Sequence, residues 1–246
     1  MAHALVHGIG GIGQALALQL SQDKTIDHLF LASRSPHTLR DVLPEELTHN
    51  NAVTLIDWDI HKPETIENSV QLIEDKPGEL GLVINSAGLL HTETGEPEKR
   101  LESFNLEYFQ KNIEVNSALP LLTIQAILPL LRQTPHTQII NISAKVGSID
   151  DNGLGGWYSY RASKAALNML TKTLSIELRR RRFEASVCAI HPGTVATNLS
   201  KPFVAASQKN VMSADEAATA ILKVIASLTP EDNGSFFSWN GDRLSW

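Results

Sequence analysis

Short runs of apolar residues alternate along this chain with longer stretches whose apolar positions recur every three to four residues. Runs of the first kind suit strands buried on both faces of a parallel sheet, and the second kind suits the helices that cover it. Strands are expected at 3–7, 28–33, 52–57, 80–85, 138–143, 185–191 and 236–239. Helices are expected from Gln14 to Ser21, Pro63 to Asp75, Leu106 to Leu131, Tyr158 to Arg181, and 213 to about 227. Pro63 suits a first helical turn, whereas Pro120 lies inside its helix and predicts a kink. Ser213-Ala-Asp-Glu216 has the spacing of a capping box. The alternation predicts an α/β fold: a single-domain, Rossmann-type, doubly wound parallel sheet of about seven strands with helices on both faces. No repeat, low-complexity tract or linker interrupts residues 1–246. One domain is therefore expected, with residues from about 198 onward contributing to a substrate pocket.

Composition narrows the function classes. Of 246 residues, 42% are hydrophobic and 20% charged, enough apolar content for one large core. A net charge of −6 argues against nucleic acid or an anionic membrane as partner. The basic run from Arg179 to Arg182 closes a helical stretch, where cations complement the helix dipole. The lone cysteine, Cys188, lies in an apolar run and reads as a buried strand residue. It allows no disulfide within the chain, so a reducing, cytoplasmic setting fits. No signal peptide is read before the first strand, and no apolar stretch reads as long enough to cross a bilayer. The nine histidines show no metal-binding spacing, so no metal is expected.

Two motifs carry the candidate chemistry. Gly8-Ile-Gly-Gly-Ile-Gly13 follows the first strand and opens a helix. Gly8, Gly10 and Gly13 fit G-x-G-x-x-G, whose glycines permit a tight turn and let the backbone approach phosphate oxygens. Far downstream, Tyr160-Arg-Ala-Ser-Lys164 puts a phenol and an ammonium one helical turn apart on one face. An ammonium there stabilises the phenolate, so the phenol is expected to exchange a proton with a carbonyl or alcohol oxygen. Together the motifs indicate hydride transfer at a carbonyl or alcohol carbon. Ser33-Arg34-Ser35, at the end of the second strand, stands where an acidic residue would bond a ribose 2′-hydroxyl. A guanidinium suits a 2′-phosphate instead, so NADP(H) is expected over NAD(H).

With Asp59-Ile60, Asn85-Ser-Ala-Gly88, Asn116 and Pro192-Gly-Thr-Val-Ala-Thr197, these motifs stand in an order that resembles the short-chain dehydrogenase/reductase family over essentially the whole chain. Residues 155–167 and the Trp-rich stretch 236–246 further resemble the C-factor-like branch, near the Sniffer-type carbonyl reductases. The resemblance implies Tyr160, Lys164, Asn116 and a serine as the catalytic set. It implies that the Asp59 carboxylate and Ile60 backbone meet the adenine. Asn85, Ala87 and Gly88 would lie beneath the adenosine ribose. Lys164 would also bond the nicotinamide ribose, and Asn116 would hold a water that relays protons from Lys164. Beyond the Pro192-Gly193 turn, Val195 and Thr197 would reach the cofactor, Thr197 fixing the carboxamide or the pyrophosphate. The family often pairs the 106–131 and 158–181 helices across a dimer axis. A homodimer or homotetramer is thus among the expected states, beside a monomer.

Three departures from the family pattern matter. The glycine loop is one residue shorter than the usual G-x-x-x-G-x-G. Gly8, Gly11 and Gly13 are its closest fit, with Ile12 before the last, and Gly10 stands where NADP-dependent relatives often carry a basic residue. Arg34, with Ser33, Ser35 or His37, would then hold the 2′-phosphate. The family also closes the fifth strand with a serine pair whose second member is catalytic, and here the pair is Ser143-Ala144. Ser143 is assigned as the hydroxyl, with Ser148 as alternate, although a one-residue step turns a strand side chain to the other face. Lastly, the stretch from Ser148 to Tyr158 is a few residues longer than usual, with Gly153, Gly155 and Gly156 permitting a tight path. Leu89, Leu90, His91, Trp157, Phe203, Val204, Trp239 and Trp246 point to an apolar, aromatic pocket. The expected function is an NADP(H)-dependent oxidoreductase that reduces a small-molecule ketone or aldehyde to an alcohol. The alternative is a C-factor-like signalling or binding protein that holds the dinucleotide with little catalysis.

Overall fold

The structure is a computed structural model that describes residues 2–93, 95–131, 134, 136–203 and 211–246. Its strands are β1 (Ala2–His7), β2 (Ile26–Ser33), β3 (Val53–Asp57), β4 (Glu79–Asn85), β5 (Thr137–Ile142), β6 (Ala185–His191) and β7 (Phe236–Ser238). All pair in parallel, in the order β3-β2-β1-β4-β5-β6-β7. The order reverses between β1 and β4, and that switch point opens a crevice at the carboxyl ends of the strands. This is the doubly wound sheet that the alternating pattern predicts.

A parallel sheet must be covered on both faces, and the strand alternation divides the core accordingly. The helices are α1 (Ile12–Ser21), α2 (Pro36–Arg40), α3 (Glu45–Thr48), α4 (Pro63–Glu74), α5 (Leu106–Ile113), α6 (Leu119–Leu131), α7 (Tyr158–Arg180) and α8 (Ala214–Ser227). On one face, Val6, Leu31, Ile84 and Ile190 pack against Leu16 of α1 and Ile221 of α8. On the other, Leu5, Phe30, Val83 and Val187 pack against Ile73 of α4, Ile127 of α6 and Leu178 of α7. The capping box at α8 forms as its spacing predicts: the Ser213 Oγ accepts from the Glu216 N–H at 3.2 Å, and Glu216 Oε2 accepts from the Ser213 N–H at 2.8 Å.

The 106–131 stretch departs from expectation in two ways. The deviation at Pro120 takes the form of a π turn, Glu114–Ala118, between α5 and α6. Pro120 has no N–H for the carbonyl four residues back, that of Asn116, and the ladder widens there. The stretch is also, by length and composition, apolar enough to cross a bilayer, with mean hydropathy 1.4. That corrects the reading that no stretch is long enough. Here it serves as a core helix, with Asn112, Asn116, Ser117 and Thr123 buried.

Candidate active site

A cleft of about 390 Å³ opens at the switch point. It is lined by the β1–α1 turn from His7 to Ile12, by Ala32, Ser33 and Arg34 at the end of β2, and by Ile60 and His61. Ser86, Ala87 and Gly88 after β4, Glu114, Val115 and Leu119, and Thr197, Asn198 and Leu199 complete it. The glycines have separate reasons. Gly8 has φ 91°, and a Cβ there would lie 2.3 Å from the Ala87 nitrogen. A Cβ on Gly13 would lie 1.9 Å from the Gly8 carbonyl oxygen, so that glycine lets α1 start against the strand end. Gly10 is different, since a Cβ there meets no atom within 4 Å. The spacing that the structure requires is therefore the one that includes Gly8 and Gly13, with Gly10 facing open space.

Arg34 and Glu114 are the charged side chains that line this cleft. Arg34 is exposed at the cleft and makes no hydrogen bond or ion pair among the described residues. Ser33 Oγ accepts from the Ser35 N–H at 3.2 Å. His7, just below Gly8, is buried, and burial with the Arg34 charge nearby pushes its imidazole down to about 4. Its Nδ1 lies 2.8 Å from Thr123 Oγ1, whose own hydrogen goes to the Leu119 carbonyl. His7 must therefore donate from Nδ1, as a neutral ring. Asp59 does not line the cleft: its carboxylate accepts from the His61 N–H at 3.0 Å, while Ile60 and His61 face inward. Asn85 ties the strands, donating to Asn141 Oδ1 at 2.8 Å. Pro192, Gly193 and Val195 stand behind Thr197, with Gly193 packed under Met212 and Trp239.

The second motif meets the cleft at Gly88. A Cβ built there would lie 3.6 Å from Asn116 Oδ1 and 4.0 Å from Lys164 Nζ. Tyr160 and Lys164 share one face of α7, with Nζ 5.9 Å from the phenol ring centroid. Both are buried, and Lys164 donates to the Ile142 carbonyl at 2.9 Å. Burial lowers the Lys164 ammonium to about 8. Burial also holds the Tyr160 phenol above its ordinary value, and the nearby Tyr108 adds to this. Desolvation thus governs the phenol in this geometry. Tyr160 is thereby held as the neutral phenol. The Asn116 side chain is engaged with Leu89, accepting from its N–H at 2.7 Å and donating to its carbonyl at 2.8 Å, and it also donates to Ser163 Oγ at 3.0 Å.

The Ser143 hydroxyl is engaged with a partner of its own. It donates to Asn168 Oδ1 at 2.6 Å on the α7 side, as Asn141, two residues earlier, donates to Thr171. The strand period carries both side chains to that face. Ala144 instead packs with Tyr160 and Leu90. Ser148, the alternate, is buried and donates to the Trp246 carbonyl at 3.2 Å. Around Tyr160 the wall is apolar: Val146, Trp157, Leu199 and Phe203 join Leu90 and Ala144. Trp157 meets Tyr160 and Phe203 edge to face, with centroids 6.1 and 5.5 Å apart. Trp246 does not reach this wall and stacks on Phe236 at 5.5 Å. Val204 lies outside the described residues. One residue at this site went unread in the sequence. Glu98 bonds Ser159, beside Tyr160, and no local pattern links positions 61 apart.

This geometry agrees with comparisons to known proteins. The family model for short chain dehydrogenase matches residues 2–208, and the chain belongs to the short-chain dehydrogenase/reductase family, a family of oxidoreductases. Within it, the chain is similar to the Sniffer and C-factor-like branch. The carbonyl reductase Sniffer of D. melanogaster superposes over 100% of both chains with TM-score 0.85 and 27% identity. The NADPH-bound carbonyl reductase from chicken fatty liver covers 99% of this chain and 98% of its own, with TM-score 0.84 and 29% identity. The C-signal protein of Myxococcus xanthus is 34% identical over 136 residues, which are 55% of this chain and 77% of that protein.

Proposed function

We propose that this protein is an NADP(H)-dependent reductase that converts a ketone or aldehyde to an alcohol. One observation carries the reading: the buried Tyr160–Lys164 pair adjoins, through Gly88, a glycine-lined cleft whose far end holds Arg34, which makes no hydrogen bond or ion pair among the described residues. The NADPH-bound relative supports it. The cradle fits a dinucleotide. Backbone around Gly8 and Gly11, with the N-terminus of α1, receives the pyrophosphate. Arg34 and Ser33 take the 2′-phosphate, Ile60 flanks the adenine, and Ala87, Gly88 and Thr197 follow the chain toward the nicotinamide end. When bound, the reduced nicotinamide supplies the hydride.

The chain's own residues do the rest. Tyr160, held neutral by burial, gives its proton to the carbonyl oxygen as negative charge develops there. Lys164, which pairs with no carboxylate among the described residues, bonds the cofactor ribose and supports the phenolate that forms. Asn116 fixes the Leu89 backbone and places the π turn beside Lys164. The wall of Trp157, Phe203, Leu90 and Leu199 excludes water and suits an apolar or aromatic group on the carbonyl carbon. In this reading residues 1–246 act as one domain in a cytoplasmic setting, and residues from 198 onward complete the pocket. The experiment is a titration with NADPH and with NADH. Micromolar NADPH binding that is lost in Arg34→Ala, with weaker NADH binding that is not, supports the proposal. Equal affinity for both cofactors in the wild type overturns the cofactor assignment.

A specific observation favours a second reading. Ala144 supplies no hydroxyl beside Tyr160, and both nearby serines are committed elsewhere. A dinucleotide-holding protein with little turnover, in the manner of a signalling relative, fits that feature. NADPH binding without consumption across a panel of carbonyls would establish it.

A further inference from the structure

Helix α7 carries Tyr160 in its first turn, yet its amino end has no cap of its own. Trp157, at the capping position, has φ 52° and ψ 41° and makes no side-chain cap hydrogen bond. A left-handed backbone is costly for a bulky residue unless its surroundings hold it there. Gly155 and Gly156, with φ 66° and 68°, bring the chain into this conformation. The restraint comes from Glu98, in the segment after β4. The Trp157 N–H donates to the Glu98 carbonyl at 2.5 Å. The Ser159 N–H donates to Glu98 Oε2 at 3.1 Å, and the Ser159 hydroxyl donates to Oε1. Glu98 is 2% exposed and Ser159 0%.

A buried carboxylate is unfavourable unless it is paired or fully hydrogen-bonded. Glu98 forms no ion pair among the described residues. Its partners are a helix amide, a hydroxyl and the positive end of α7, the combination that stabilises an anion without a cation. We propose that Glu98 is a positioning residue for proton transfer: its carboxylate fixes the first turn of α7, and with it the Tyr160 phenol and the Trp157 indole. A single side chain thereby sets both the proton donor and the aromatic wall beside it. Its action is geometric, since Ser159, which lies between the two, donates both bonds to the carboxylate.

The kinetic arm of the test rests on the reductase reading; a second arm does not. Glu98→Ala, Glu98→Gln and Ser159→Ala are compared with wild type well below their melting temperatures. In Glu98→Ala, kcat for carbonyl reduction is expected to fall about tenfold or more, the rate equivalent of one lost charge-assisted hydrogen bond. KM for NADPH and its directly measured affinity are expected to change by less than about twofold, because Glu98 does not line the glycine cleft. Glu98→Gln keeps one acceptor oxygen and is expected to recover part of kcat; it also carries the test if the alanine variant does not fold. Independently of turnover, amide hydrogen exchange is expected to quicken at the first turn of α7 and not in α1. An unchanged kcat in both Glu98 variants overturns the proposal, as does a parallel loss of NADPH affinity or a uniform rise in exchange. If wild type reduces no carbonyl, the reductase reading fails, while the exchange pattern still decides the role of Glu98.

Discussion

Acidification between pH 8 and pH 5 should weaken this fold by an amount that the buried histidines set. His7 and His191 sit at the carboxyl ends of β1 and β6, and burial pushes both down to about 4. The ordinary histidine value is about 6.5. The unfolded chain therefore binds protons that the folded chain refuses, so stability is complete above pH 6.5 and is lost as pH falls toward 4. A histidine with these two values loses about 2 kcal/mol of stabilisation between pH 8 and 5, so the pair loses about 4 kcal/mol, an upper figure. His28 shifts in the same direction and adds to the slope. Glu114 and Asp232, whose carboxyls are held below their ordinary values, respond at lower pH, while Lys164, lowered to about 8, adds a smaller slope near the upper limit that His7→Asn leaves in place. The assay is urea unfolding at both pH values, followed by tryptophan fluorescence, since Trp58 is fully buried. His7→Asn, which can still donate to Thr123, should remove about 2 kcal/mol of the difference. Equal unfolding free energies at pH 5 and 8, or a full difference retained in the variant, would refute the reasoning.

Three further outcomes are expected. Gly13→Ala should unfold the glycine turn or abolish NADPH binding, because its Cβ would strike the Gly8 carbonyl, whereas Gly10→Ala should bind NADPH normally; calorimetric titration of both separates them. Ser143→Ala should alter turnover little, and Ala144→Ser, which places a hydroxyl beside Tyr160, should raise kcat; steady-state kinetics of the two check this, and a selective loss in Ser143→Ala would restore Ser143 as the catalytic hydroxyl. The rate of reduction should hold steady below neutrality and decline above pH 8, where Lys164 loses its charge while Tyr160 stays protonated; a pH profile of kcat at saturating NADPH tests this, and a rate that rises through pH 9 would contradict it.

Much of this architecture was legible because the physics that makes it is local. Runs such as Leu80–Ile84 carry no polar side chain on either face, as a doubly covered strand demands. The glycine turn and the Ser213 box are fixed by steric and capping rules that act within a few residues. The helices α2 and α3 escaped notice because five and four residues are too few to show a period. Pro120 announced a break but not the π turn, whose form depends on Asn116 reaching Leu89. At the site, the Tyr160–Lys164 pairing followed from helical spacing alone. The fates of Ser143 and Glu98 did not, since each is decided by a partner on another element, Asn168 in one case and Ser159 in the other. The phenol's raised value is likewise a property of the packed core, invisible in a five-residue motif.

The most direct test of the central claim is NADPH consumption with a panel of aryl and alkyl ketones and aldehydes, for wild type and Tyr160→Phe, with NADPH affinity measured in parallel. The account predicts carbonyl-dependent consumption by wild type and a loss of about a hundredfold or more in the variant, with affinity unchanged. A Phe variant that turns over at the wild-type rate would contradict it, as would a wild type that binds NADPH and reduces none of the carbonyls.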